Sequence, residues 1–145
     1  MDVLSPNEAL LSNYEVLRLV EEEQKRQAEQ QKKFSNIKYA ENTLTIEYET
    51  VKYLQGTPAS SQTPEQIINL LEKLKKYNLT KAEKLQILNH RPRHIVELYI
   101  LIEECSDRFK DEDLDGMLNI IYESLPRDDE DNENEFADQM EVEGK

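Results

Sequence analysis

The run LTKAEKLQILNHRP from Leu79 to Pro92 carries a helix start, an apolar helical face and a stop, and it constrains the fold more than any other part of the chain. Thr80 and Glu83 form a capping box, in which the hydroxyl accepts a first-turn N–H and the carboxylate accepts the Thr amide. Leu85 and Leu88 then share a face at helical spacing. Pro92 has no amide hydrogen and disfavours a helical Arg91, so the chain turns before a second apolar segment opens at Ile95. The product is a helical hairpin whose apolar faces need partners from the flanking sequence.

At 145 residues the chain has room for one modest core plus tails. Its formal charge of -13 is unevenly placed, because residues 126–145 hold nine acids against Arg127 and Lys145, about -7 of the total. The remainder is only mildly acidic and offers no broad electrostatic footprint for nucleic acid. A lone Cys105 excludes an intramolecular disulfide and suits a reducing compartment. No apolar run reaches membrane-spanning length and residues 1–25 lack a signal-peptide order, so an intracellular protein is expected, with no membrane partner.

Along the chain, Leu10, Leu11, Tyr14, Leu17 and Leu19 or Val20 recur at steps of three or four and predict an amphipathic helix over 7–20, starting near Ser5 or Asn7. From Glu21 to Lys33 only Ala28 is apolar, which reads as a solvated extension or frayed linker. Residues 43–55 are ambiguous. Leu44, Ile46, Tyr48 and Thr50 alternate as a strand would, while Leu44, Tyr48 and Val51 also fall on one helical face. Gly56 to Gln62 reads as a linker between an N-terminal arm, 1–62, and a C-terminal module, 63–125. The module opens on Thr63-Pro64-Glu65-Gln66, a cap, a first-turn proline and a capping-box Gln, ahead of Ile67, Leu70, Leu71 and Leu74. Ile95 to Cys105 is apolar all round and predicts a central helix. Leu114, Leu118, Ile121 and Leu125 mark a last amphipathic helix, and residues 126–145 have too few apolar side chains to offset ordering, so a disordered acidic tail is expected.

Several motifs suggest chemistry and fall short of it. Asp111 to Gly116 matches the first half of a calcium loop, but its twelfth position is Tyr122, so the closing bidentate carboxylate is missing. His90 and His94 are separated by Pro92 and cannot share one helical face as metal ligands. No metal or other cofactor is therefore expected. Cys105 beside Glu103 and Glu104 would have its thiol pKa raised, and no Gly-rich phosphate loop or nucleophile elbow exists, which argues against an enzyme. Lys81, Lys84, Arg91 and Arg93 cluster near the hairpin turn as candidate nucleic-acid contacts, although the module holds twelve acids to nine bases.

The blocks LLSNYEVL at 10–17, YETVKYL at 48–54 with Thr57-Pro58, LTKAEKLQ at 79–86, NHRP at 89–92 and IEEC at 102–105 with Arg108-Phe109 resemble, in order, the small helical stalk subunit of eukaryotic RNA polymerase III. The sequence is also similar to the corresponding small stalk protein of archaeal RNA polymerase. The resemblance covers roughly residues 1–125 and leaves 21–33 and the acidic tail outside it. It implies an all-α chain with an N-terminal helical arm and a C-terminal bundle like the helicase-and-RNase-D C-terminal (HRDC) domain, and it tips 43–55 toward helix. It further implies a nuclear, non-catalytic subunit that forms a heterodimer with the OB-fold stalk subunit, docks on the polymerase III core and acts with initiation factors at transfer-RNA and other class III genes, with weak or no direct nucleic-acid binding. The arm residues Leu10, Leu11, Tyr14, Leu17, Leu44, Tyr48 and Val51 would then be the partner-binding set. The alternative is a free-standing nucleic-acid-binding module of the helicase type.

Overall fold

The computed structural model describes residues 9–34 and 36–126, and they are all-α. The seven α-helices are α1 (Asn13–Lys33), α2 (Glu41–Gln55), α3 (Pro64–Lys73), α4 (Lys81–His90), α5 (Ile95–Leu101), α6 (Cys105–Arg108) and α7 (Asp111–Ser124), with short 3-10 turns at Pro58–Ser60 and Leu74–Lys76. The sequence expectation for the tail, from residue 127 onward, lies outside the described residues.

Three helices start where side chains close capping boxes. Thr63 Oγ1 accepts from Gln66 N at 3.3 Å and Gln66 Oε1 accepts from Thr63 N at 3.0 Å. The Thr80–Glu83 pair does the same for α4, at 3.2 and 2.7 Å. The third box corrects the expected start of the first helix. Residues 9–12 are not helical, and Ser12 caps α1 with Glu15, Ser12 N donating to Glu15 Oε2 at 2.7 Å. The Ser-x-x-Glu signal at 12–15 closes as a capping box and satisfies first-turn donors of α1, so the helix starts there and not at the beginning of the longer apolar periodicity.

The charged stretch 21–33 is also not a frayed linker. It is the second half of α1, and its buried Gln27 sits at the seam with α2. Gln27 Nε2 donates to Glu47 Oε1 at 3.0 Å and to Glu23 Oε1 at 3.2 Å, while Tyr39 Oη donates to Gln30 Oε1 across the connection. With Leu17 and Leu54 buried at the other end, α1 and α2 form an antiparallel hairpin. That packing resolves the 43–55 ambiguity in favour of helix.

In the module, α3, α4, α5 and α7 surround a core built on Leu70, Leu74, Ile87, Leu98, Leu114, Met117 and Ile121. The central helix expected over 95–105 is replaced by two short ones. α5 ends at Leu101, Ile102 turns extended into the core, and Glu104 at φ 50° starts α6. Nor is α5 central: Val96 and Ile100 are 68% and 78% exposed. Among the described residues, α5 is held by α4 and α7 on one side, and Val96 and Ile100 lie on the other.

The hairpin and the module are tied at two points. Asn89 Oδ1 accepts from Asn13 N at 2.9 Å, so the end of α4 caps the start of α1. The 56–62 stretch carries structure of its own, with Ala59 buried in its 3-10 turn and Gln62 Nε2 donating to Leu88 O at 2.9 Å.

Candidate partner interface

The seven arm residues expected to form one partner-binding face are dispersed. Leu17 is buried within the chain, Leu44 and Val51 are half-buried, and Tyr48 points to solvent with Lys52 Nζ 5.9 Å from its ring centre. Leu10 and Leu11 lie exposed ahead of the α1 cap, and Tyr14 lines a groove against the module. Apolar residues not in that set are instead the most exposed on the hairpin. Ile46 and Tyr53 are 67% and 71% exposed and, with Val16, Glu49 and Thr50, line a shallow groove of about 520 Å³ along the α1–α2 seam. Leu19 is exposed on α1 as well. The spacing of Ile46, Thr50 and Tyr53 at steps of four and three could have revealed this stripe, had 43–55 been read as a helix facing α1 through Glu47, Val51 and Leu54.

The four basic residues also part company. Lys81 is exposed and Lys84 half-buried on the same side of α4. Arg91 is 4% exposed and is withdrawn from the set of surface contacts. It takes the left-handed conformation, φ 50° and ψ 65°, as the C-cap of α4, its N–H donating to Ile87 O at 2.8 Å. Pro92 disfavours a helical continuation through the residue before it, and the helix closes on a left-handed C-cap at Arg91, whose side chain is buried. Arg93 is half-buried beside α5, where its N–H donates to Glu97 Oε2 at 3.2 Å.

A second groove, of about 490 Å³, runs between the start of α1 and the outer sides of α3 and α4. Its floor is Ile67, Ile68, Leu71 and Leu85, and Lys75, Lys81 and Lys84 stand on its rim. Sequence reading missed Lys75 as a member of this cluster, since it joins Lys81 and Lys84 only through the packing of α3 on α4.

An ion pair largely shielded from solvent lies at the base of α4 and serves the fold. Arg108 Nη1 approaches Glu83 Oε1 at 2.6 Å, and the same guanidinium donates to Asn78 O at 2.6 Å and Glu103 O at 2.8 Å. The Arg108 hydrogen bond, helped by those from Thr80, holds the Glu83 carboxyl down at about 2. The Cys105 thiol is pushed up, as expected, but chiefly by burial; the charge of Glu83 adds to the rise and Arg108 opposes it. Asp113 to Gly116 belong to α7, so the calcium-loop geometry is not adopted there. Among the described residues no group of His, Cys, Asp and Glu is arranged to hold a metal ion, and no helix is long and apolar enough to cross a membrane.

Residues 10–125 match the RNA polymerase Rpb4 family. The chain belongs to that family. Relatives of this Rpb4-family chain include DNA-directed RNA polymerase III subunit rpc9 of Schizosaccharomyces pombe, 36% identical over 87% of the chain and 100% of the relative. The subunit of that name from Saccharomyces cerevisiae is 29% identical over 83% of the chain and 98% of its own length, and that from Dictyostelium discoideum is 32% identical over 86% and 93%. In the Rpb4-family chain the match takes in the hairpin and the module together, so the seam that joins them at Asn13 and Asn89 lies inside it.

Proposed function

We propose that this chain is the Rpb4-like stalk subunit of nuclear RNA polymerase III, a non-catalytic protein that forms a heterodimer with the OB-fold stalk subunit and acts in initiation at class III genes. The observation that carries the reading is the exposed apolar stripe of the α1–α2 hairpin, Ile46 and Tyr53 with Val16 in one groove, in a chain matched over its hairpin and module to polymerase III subunits. Contiguous apolar surface on an outer helix is destabilising in water and is covered in an assembly. Leu10 and Leu11 lie exposed just ahead of the same end of α1, where Val16 and Tyr53 line the groove. The burial of Arg91 weakens the alternative of a free-standing nucleic-acid module, since that side chain is withdrawn from phosphate.

Capture of the tagged full-length chain from nuclear extract tests this. Recovery of an OB-fold partner in equal amount, with polymerase III core subunits, is expected. Recovery without any polymerase subunit, together with salt-dependent binding of single-stranded nucleic acid by the chain alone, would overturn it.

A further inference from the structure

The groove between α1, α3 and α4 is apolar at its floor and cationic at its rim, and neither Lys81 nor Lys84 has an ion-pair partner among the described residues. We propose that its occupant is the chain's own acidic C-terminal segment, residues 133–143, with Phe136 and Met140 on the apolar floor and the intervening carboxylates against Lys75, Lys81 and Lys84. This inference is independent of the polymerase assignment.

Charge complementarity is the first support. Residues 127–145 hold nine acids and two bases, while the groove rim presents Lys81 and Lys84 with no ion pair among the described residues, Lys75 with an exposed pair to Glu72 at 3.6 Å, and Glu15, which is engaged in capping Ser12. Chemistry of the floor is the second. Phe136 and Met140 are four residues apart, with Glu135, Asp138 and Glu141 around them, the pattern of a segment with one apolar and one acidic side. The point of exit is the third. Glu123 Oε2 lies 2.9 Å from Lys73 Nζ, so α7 ends beside the end of α3, and Pro126 follows three residues later. Lys75, which lines the groove, lies two residues beyond Lys73. The ten residues from Pro126 to Phe136 extend to roughly 33 Å, well beyond the ~10–12 Å thickness of a helix.

Tethering makes weak contacts sufficient. A tether of this length places the segment at an effective concentration in the millimolar range, so a contact too weak to hold a free peptide still keeps the groove occupied. The consequence is self-shielding: Lys81 and Lys84 are covered by carboxylates and present no free cationic surface to phosphate.

Zero-length carbodiimide crosslinking of the full chain, as an equal mixture of light and nitrogen-15-labelled copies read by mass spectrometry, tests the occupant. Links within one copy from Lys75, Lys81 or Lys84 to the acids at 133–143 are expected. Replacing Phe136→Ser and Met140→Ser leaves the tail charge unchanged and should lower their yield at least about tenfold, because two apolar side chains lose their burial on the floor. Unchanged yield in that variant would reduce the contact to unspecific charge attraction and overturn the proposal. Links mainly between light and heavy copies, links from these lysines to Asp2 or Glu8, or an even spread over all lysines would each overturn it in favour of a second copy, the N-terminal segment or no site at all.

Discussion

Replacing Glu83→Gln isolates the ion pair at the base of α4. Gln at the third helical position preserves the capping box with Thr80, so the change removes the negative charge facing Arg108 and leaves the helix start in place. The Glu83 carboxyl lies at about 2 against an ordinary value near 4.5. At about 1.4 kcal/mol per pKa unit, that depression corresponds to roughly 3 kcal/mol of folded-state preference for the charged form. Its side chain is 8% exposed and that of Arg108 25%, so solvent screening discounts the figure only modestly. Because the folded-state pKa is lowered, the contribution is fully present above pH ~4.5 and fades as pH falls toward about 2. By pH 3 roughly 2 kcal/mol of it is gone. Urea denaturation followed by circular dichroism should therefore show the variant less stable than the parent by about 3 kcal/mol at pH 7 and by about 1 kcal/mol at pH 3. All other carboxylates titrate alike in both proteins and cancel in the difference. A gap below about 0.5 kcal/mol at pH 7, or one that does not shrink in acid, would refute the assignment.

Three further outcomes are expected. A Cβ at Gly116 would lie 2.5 Å from Tyr77 Oη, so Gly116→Ala should destabilise the parent yet stabilise a Tyr77→Phe background by up to about 1 kcal/mol; equal effects in the two thermal melts would remove the contact as the reason for glycine in α7. Ile46→Asp with Tyr53→Asp should leave the helical circular-dichroism signal and melting temperature of the free chain unchanged while reducing recovery of its partner more than tenfold, because both side chains are exposed in the isolated chain; undiminished recovery would move the interface elsewhere. Arg91→Ala should lower thermal stability by ~1–3 kcal/mol without a specific change in RNA affinity, and the reverse pattern in a melt and a filter-binding titration would return Arg91 to the surface set.

What the sequence determined by itself is local. The Thr63–Gln66, Thr80–Glu83 and Ser12–Glu15 boxes are hydrogen bonds closed within three residues, so the chain specifies them before anything packs; the first two mark helix starts as read, and the third was present but overshadowed by apolar periodicity. The stop at Pro92 follows from the same short-range rules, and α4 ends at His90. Tertiary structure alone decided the rest. Residues 43–55 satisfy strand and helix periods equally, and the choice falls to a contact twenty residues away, between Gln27 and Glu47. The 95–105 segment breaks at an extended Ile102 and a left-handed Glu104, although Leu98, Ile102 and Cys105 would also share one face of a straight helix, so its periodicity does not announce the break. Arg91 is buried at the left-handed C-cap before Pro92, and the lysine-rimmed groove exists only where α3 lies against α4 and Asn89 holds the start of α1 over both. A local hydrogen bond is written in spacing; a surface is the sum of what distant segments leave uncovered, and no window of sequence contains that sum.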